Sequence, residues 1–314
     1  DYEILGVKHN IQLGTSVMYS TKDDSYCLDS LCLEWSGLSR GDFRQSPVEL
    51  KMPDGCFSND FIYQSHEIIE GCVPISTLPS AYDDDGKSQT LIVHMAEPNY
   101  SVLLDLYYTV FPGSNVITRR AVIKNFEDGA ISLRRFMSMS VDIPDRGFNL
   151  HTFDGGWIKE THRHVRPVEY GIAVNSSTTG ASSNRHNPGF VIAEKTATED
   201  FGVCYGFNLV YSGNHFGLVE KSNCDLTRVQ LGINPLSFEW NLKKGEEFAS
   251  PEAVMTYSSD GFNGMSQNFH RFINHNIVRG EWKMKERPVL INNWEATYFD
   301  FNTKKTKCHL KKSN

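Results

Sequence analysis

Hydrophobic and polar residues alternate with a period of two along most of the chain, which predicts β-strands exposed on one face. The alternation is clearest over 101–110, and the turn sequence Pro112-Gly113-Ser114-Asn115 follows it. Similar runs lie at 91–95, 116–124, 131–139, 189–193, 204–211 and 228–233. Clusters of Gly, Pro, Asn and Asp separate them, as in antiparallel sandwiches. More than a dozen candidate strands before residue 258 predict one very large all-β domain.

The pattern changes to a helical period after Ser258. Apolar side chains recur at helical spacing at Met265, Phe269, Phe272, Ile273 and Ile277. Asn263 is the expected N-cap and Gly280 the expected end. We therefore expect a helix near 263–278, within a linker that covers residues 259–284.

A short apolar run at 287–294 is typical of a strand buried on both faces, as in a parallel barrel. A single parallel strand cannot bury both faces, so Val289, Leu290 and Ile291 are expected to be exposed. We therefore predict three segments: an all-β domain at 1–258, the linker at 259–284, and the incomplete start of a (β/α)8 barrel at 285–314, with the rest of the barrel missing.

Composition and charge exclude several classes of protein. The 314 residues are 39% hydrophobic and 22% charged, which is enough for a folded core. No apolar stretch approaches the ~18 residues of a membrane span, and a net charge of -7 argues against nucleic acid as a partner. Seven cysteines without Cys-x-x-Cys spacing indicate mostly buried free thiols. No signal peptide is visible, so we expect a cytoplasmic location.

The metal and cofactor motifs are weak. His162 and His164 place two imidazoles on one face of a strand, but no third ligand is indicated. The acidic run 83–85 lacks the spacing of a calcium loop and is interpreted as a solvated turn. Nucleotide-binding loops are absent from the sequence. We expect no metal and no cofactor.

Trp294 follows the predicted barrel strand, and active sites of (β/α) barrels lie at the C-terminal ends of strands. An indole there can stack on the apolar face of a sugar ring, while neighbouring Asn and Glu side chains bind its hydroxyls. The same spacing also fits a tryptophan that only seals the barrel mouth.

Residues 287–301 (Arg-Pro-Val-Leu-Ile-Asn-Asn-Trp-Glu-Ala-Thr-Tyr-Phe-Asp-Phe) resemble the start of the catalytic barrel in the α-galactosidases of glycoside hydrolase family 36. Further segments similar to this family occur in the same order at 28–34, 41–44, 138–142, 180–183, 187–188, 205–207, 211–214, 232–235 and 264–267. The resemblance therefore covers nearly the whole chain.

The resemblance implies an N-terminal β-supersandwich, a helical linker, a (β/α)8 barrel and a C-terminal β-domain. It also implies a retaining mechanism with two aspartates, both in barrel segments that this chain does not contain. No catalytic residue is therefore expected here. Trp294 matches the family's galactose-pocket tryptophan and is the expected substrate-binding residue. Family tetramers carry a longer loop where residues 19–24 stand here, and a homo-oligomer through the β-domain is possible.

Three functions follow from these observations. The first is the N-terminal portion of an α-galactosidase acting on raffinose-type α-galactosides, inactive by itself. The second is a non-catalytic carbohydrate-binding or assembly module. The third is a paralogue with another specificity, such as α-N-acetylgalactosaminidase.

Overall fold

The computed structural model describes residues 28–312, with side chains through residue 307. Within these residues the chain forms sixteen strands, and all of them lie before residue 259. They are β1 Val48–Lys51, β2 Ile62–Glu70, β3 Gln89–Ala96, β4 Val102–Phe111, β5 Val116–Asn125, β6 Ile131–Pro144, β7 Asn149–Asp154, β8 His162–Pro167, β9 Gly171–Ser176, β10 His186–Ala193, β11 Cys204–Val210, β12 His215–Lys221, β13 Leu226–Ile233, β14 Trp240–Leu242, β15 Glu247–Ala249 and β16 Glu252–Ser258.

The strands form two sheets. The smaller sheet has six strands in the order β9-β12-β13-β6-β14, with β1 also paired to β6. The larger sheet has ten strands in the order β2-β3-β4-β5-β16-β11-β10-β7-β8, with β15 also paired to β5. All pairings within the two sheets are antiparallel, so the predicted all-β supersandwich is confirmed.

Two apolar clusters fill the sandwich, and β6 contributes to both. Its first half pairs with β1 and β14, and its second half pairs with β13. Phe136 belongs to one cluster with Leu104, whereas Met139 belongs to the other with Phe190. A single strand of 14 residues therefore joins the two halves of the core.

The predicted turn after β4 is a single 3-10 turn, Pro112–Ser114. Asn115 ends it with φ 53, in the left-handed region that asparagine tolerates better than most residues. This conformation reverses the chain so that β5 can pair with β4.

The linker helix α1 covers Gly261–Phe272 and continues as a π-helical turn, Ile273–Ile277. It starts earlier than expected: Asp260 is the N-cap, and Asn263 is the third residue of the helix, with its exposed side chain donating to Asp200. The prediction of Asn263 as N-cap is therefore wrong. The helix also ends before Gly280, at which the chain has φ +86.

Helix α1 packs on β11 because Gly206 has no side chain. A Cβ there would lie 2.5 Å from the ring of Phe269 and 2.7 Å from the sulfur of Met265. Both side chains face the sheet, as the helical spacing predicts, whereas Ile273 is exposed.

Of the described residues, 28–277 belong to one compact unit and 278–312 to a second. It contains α2 Trp294–Thr297 and α3 Thr303–Lys312. The strand predicted at 287–294 is not formed, which corrects that expectation. A strand needs a neighbour to pair its N–H and C=O groups, and the described part of this unit contains no other strand. As expected, Val289, Leu290 and Ile291 are exposed. The boundaries proposed at 258 and 284 stay a prediction.

The five described cysteines are free thiols, but only Cys204 is buried, so the prediction of mostly buried thiols is wrong. Burial raises the pKa of Cys204 to about 11. None of the helices within residues 28–312 is long and apolar enough to cross a membrane.

Candidate functional site

Trp294 opens α2, with its backbone N–H donating to Oδ1 of Asn292 over 2.9 Å. Its indole meets the rings of Tyr298 and Phe299 edge-on, at centroid distances of 5.5 and 4.9 Å. Trp294 is 43% exposed and Phe299 86%. The three rings form an exposed aromatic surface of the kind that covers the apolar face of a sugar.

Asn293 and Glu295 flank Trp294. Asn293 donates from Nδ2 to Oγ1 of Thr297 over 3.2 Å, so its amide stabilises the short helix. Glu295 is exposed. The sugar-binding role expected for these side chains stays a prediction.

A buried group of four charges, here called the ionic quartet, lies in the sandwich: Asp42, Arg44, Asp142 and Arg228. Arg228 binds Asp142 through Nε at 2.8 Å and Asp42 through Nη1 at 2.9 Å. Arg44 binds Asp42 through Nε at 2.8 Å and Asp142 through Nη1 at 3.0 Å. No side chain of the four is more than 2% exposed. Each carboxylate thus faces two guanidinium groups and is cut off from solvent.

The quartet also anchors the segment before β1. Arg44 donates from Nη2 to the carbonyl oxygen of Leu31 over 2.8 Å, and Asp142 accepts the N–H of Leu33 over 3.0 Å. Burial alone would raise the pKa of Asp42, but the hydrogen bond from Arg44 and the charge of Arg228 outweigh it and lower that pKa. Asp42 therefore stays ionised, and the quartet has a structural role. A glycosidase acid must instead reach its substrate and exchange a proton.

His162 and His164 lie on β8, and both are exposed. Asp154 on β7 is the cross-strand partner of His162. It also pairs with His186 on β10, whose Nδ1 lies 3.2 Å from Asp154 Oδ1. Within residues 28–312, no group of three His, Cys, Asp or Glu side chains is placed to hold a metal ion.

The acidic run 83–85 is a turn. Asp83 accepts the N–H of Gly86 through Oδ1 over 3.0 Å and the N–H of Ser88 through Oδ2 over 3.2 Å. Its carboxylate closes the loop between β2 and β3, which fits the interpretation as a solvated turn.

Two family models match the chain. The glycosyl hydrolase family 36 N-terminal domain matches residues 7–243, and Melibiase matches residues 247–314. The chain belongs to glycosyl hydrolase family 36. The first match covers fourteen of the sixteen described strands, and the second begins at β15 and includes α1 and the segment after it, so the expected resemblance is confirmed.

Curated relatives of this family 36 chain are similar over most of its length. Alpha-galactosidase C of Emericella nidulans is 40% identical over 269 residues, which are 86% of this chain and 36% of the relative. Alpha-galactosidase AgaA of Geobacillus stearothermophilus is 38% identical over 284 residues, 90% of this chain and 39% of the relative. The chain thus spans less than two fifths of the length of these two relatives.

Solved structures show the same fold. The crystal structure of the Geobacillus stearothermophilus α-galactosidase AgaA matches with a TM-score of 0.86 and 37% identity, over 91% of this chain and 40% of that one. The α-galactosidase of Lactobacillus brevis matches with a TM-score of 0.87 and 35% identity, over 94% and 40%. Two AgaA variants that match were crystallised in complex with raffinose and with stachyose.

The sequence did not predict the ionic quartet. The segments 41–44 and 138–142 were recognised through resemblance, but Arg228 was assigned only to a strand. One signal was available: Asp142 and Arg228 each interrupt an apolar strand, and such charges are rarely buried unless paired. The short segment 19–24, where the family tetramers carry a longer loop, lies outside the described residues.

Proposed function

We propose that residues 1–314 are the N-terminal portion of a retaining α-galactosidase that hydrolyses terminal α-galactosyl residues of raffinose-type oligosaccharides. The observation that supports this proposal most strongly is the pair of adjoining family matches, to the family 36 N-terminal domain and to Melibiase. The two relatives named above are α-galactosidases, and their similarity extends over almost the whole of this chain. Raffinose and stachyose in matching crystal structures support the substrate class.

A retaining glycosidase needs two carboxyl groups about 5–5.5 Å apart, one as nucleophile and one as acid and base. In the described residues the buried acids Asp42 and Asp142 are neutralised by arginines, and no water can reach them. Asp154 is hydrogen-bonded to Thr152 and paired with His186. We therefore propose that this chain alone is inactive and that both catalytic aspartates belong to barrel segments beyond it.

Trp294 is the proposed substrate contact. Its exposed indole, with the polar side chains beside it, suits galactose, whose apolar face stacks on an aromatic ring while its hydroxyls need hydrogen-bond partners. In an enzyme that joins this segment to a complete barrel, Trp294→Ala should lower kcat/KM at least about tenfold, or roughly 1.4 kcal/mol of transition-state stabilisation.

Trp282→Ala is the matched control, because Trp282 is similarly exposed and packs beside Lys285 and Arg287. It should leave kcat/KM unchanged. If Trp294→Ala lowers the melting temperature while kcat/KM stays normal, the indole only seals the barrel mouth and its substrate role is refuted.

Activity is tested with p-nitrophenyl α-galactoside and its α-N-acetylgalactosaminide analogue. Purified 1–314 should hydrolyse neither above the uncatalysed rate, and the chain extended by a barrel should prefer the galactoside. Preference for the N-acetylated substrate would favour the paralogue. An inactive extended chain that binds raffinose in calorimetry would favour a non-catalytic carbohydrate-binding module.

We also propose a cytoplasmic location and a homo-oligomer formed through the β-domain. Free thiols at all five described cysteines support a reducing compartment. Light scattering of purified 1–314 tests the assembly, since a strictly monomeric mass at every concentration would refute it.

A further inference from the structure

The gap between the two sheets is polar at the end where β7 and β10 pair. Phe190 is buried in the apolar core and pairs with Thr152 on β7, so both side chains face the gap. Asp154, two residues further along β7, faces the same way, and His186 is its partner on β10. Apolar packing therefore gives way to hydrogen-bonding side chains at this end of the sandwich.

Strand β8 extends the polar surface with a cationic row. His162, His164 and Arg166 pair with Asp154, Thr152 and Leu150, which all face the gap. The row therefore points the same way. All three side chains of the row are exposed, and Arg166 donates from Nη2 to the carbonyl oxygen of Val174 over 2.9 Å. The intervening Arg163 points to the opposite face, where it approaches Glu199.

His215 lies behind this end of the gap, on the opposite sheet. Gly217 faces the gap, since a Cβ there would lie 2.7 Å from the ring of Phe190, and His215 shares its face. His215 is fully buried, and among the described residues neither of its ring nitrogens has a hydrogen-bond partner. Burial lowers its pKa to about 4, and His186 and Asp154 are close enough to affect it.

An open cavity with a volume of about 550 Å³ lies at this end of the sandwich and is here called the histidine cleft. Its lining includes Thr152, Asp154, His164, Arg166 and His186. The Asp154 carboxylate is already engaged, through Oδ2 by the Thr152 hydroxyl at 2.6 Å and through Oδ1 by His186. Arg166 carries the fixed positive charge of this lining and Asp154 its carboxylate, with imidazoles and hydroxyls around them.

We propose that the histidine cleft binds a phosphate-type oxyanion through Arg166, His164 and His186, with the buried, unpartnered imidazole of His215 nearby. An arginine guanidinium binds phosphate through paired, charge-assisted hydrogen bonds. A buried imidazole without a partner is costly unless a ligand or water satisfies it. Among the described lining residues no aromatic ring offers a stacking surface for a neutral sugar.

The anion has two possible sources, free inorganic phosphate and a sugar phosphate. Isothermal titration of purified 1–314 with inorganic phosphate, galactose 1-phosphate and galactose separates them. We expect saturable binding of at least one phosphate compound and none of galactose. At least tenfold tighter binding of galactose 1-phosphate would assign the site to sugar phosphates, whereas similar affinities would assign it to the free anion.

Arg166→Gln should weaken phosphate binding at least tenfold, because it removes the fixed charge on an exposed side chain and leaves the fold intact. Arg163→Gln is the matched control: it removes the same charge from the same strand on the opposite face, and it should leave the affinity unchanged. The His215 imidazole nitrogens should shift on phosphate addition in histidine-selective ¹⁵N NMR. Equal loss in both arginine variants, binding of galactose at similar affinity, or no saturable phosphate binding would each overturn the proposal.

Discussion

Removing an opposite pair of charges from the ionic quartet should cost far less stability than the sum of removing each charge alone. Asp142→Asn takes away the carboxylate that accepts Arg44 at 3.0 Å and Arg228 at 2.8 Å. Two buried guanidinium groups then share Asp42 alone, which leaves one uncompensated positive charge. Breaking a buried pair in this way costs about 3–5 kcal/mol. Arg228→Met leaves one uncompensated negative charge and should cost a similar amount.

The double variant Asp142→Asn/Arg228→Met is predicted to be less harmful than the sum of its parts. It leaves Arg44 paired with Asp42 over 2.8 Å, so the buried charges again balance. The two single variants together would cost about 6–10 kcal/mol, whereas the double variant should cost roughly 3–5. The coupling energy expected from the cycle is therefore about 3 kcal/mol or more.

Urea unfolding of purified 1–314, followed by circular dichroism, measures the four free energies of unfolding by linear extrapolation. The exposed pair Arg134 and Glu49, 3.2 Å apart, is the control, and the cycle made from Arg134→Met and Glu49→Gln should give a coupling below about 1 kcal/mol. A coupling below about 0.5 kcal/mol in the quartet would refute the account of a charge-balanced buried cluster.

Three other predictions concern stability. Gly206→Ala should destabilise the chain by about 1–3 kcal/mol because its Cβ would strike α1, whereas Gly156→Ala, with open space around it, should change the urea midpoint little. The buried imidazoles of His151 and His215 have pKa values lowered from 6.5 to about 4, so the unfolded chain binds more protons as the pH falls through 6.5. Stability should be full above pH 6.5 and lower at pH 5 by about 2 kcal/mol per ring; a flat urea midpoint between pH 7 and 5 would contradict this. Deleting residues 285–314 should improve solubility and leave the melting temperature of the sandwich nearly unchanged, and a large drop would show that this segment is part of its fold.

The sequence predicted the strands well because half-buried strands carry their own periodicity. The runs at 101–110 and 116–124 match β4 and β5 within a residue or two. The turn between them was also predicted, since Asn115 supplies the left-handed conformation that the turn needs.

Features that depend on distant residues could not be predicted in the same way. Arg228 can be buried because it pairs with Asp142, which lies 86 residues earlier in the sequence and directly opposite it on the neighbouring strand β6. The helix α1 begins at Gly261 instead of after Asn263, since the N–H groups of residues 261–263 donate to backbone carbonyls in the distant loop 198–202. The run at 287–294 carries a strand pattern but lacks a strand to pair with in the described part of its unit.

The candidate site was predicted in part. Trp294 came from its place after an apolar run and from the family resemblance, and the structure shows it exposed among aromatic rings. Of the histidine cleft and its surroundings, the sequence predicted only that His162 and His164 lie on one face of a strand. His186 and His215 join that surface through pairing and packing that single-sequence periodicity does not encode.

Hydrolysis of p-nitrophenyl α-galactoside by 1–314, beside the same residues extended by a family 36 barrel, tests the central claim most directly. The account predicts no hydrolysis above the uncatalysed rate by 1–314 and clear turnover by the extended protein, with raffinose as a competing substrate. Turnover by repurified 1–314 that is lost on mutation of one of its own aspartates, such as Asp154→Asn, would contradict the claim that this chain is the non-catalytic N-terminal portion of an α-galactosidase.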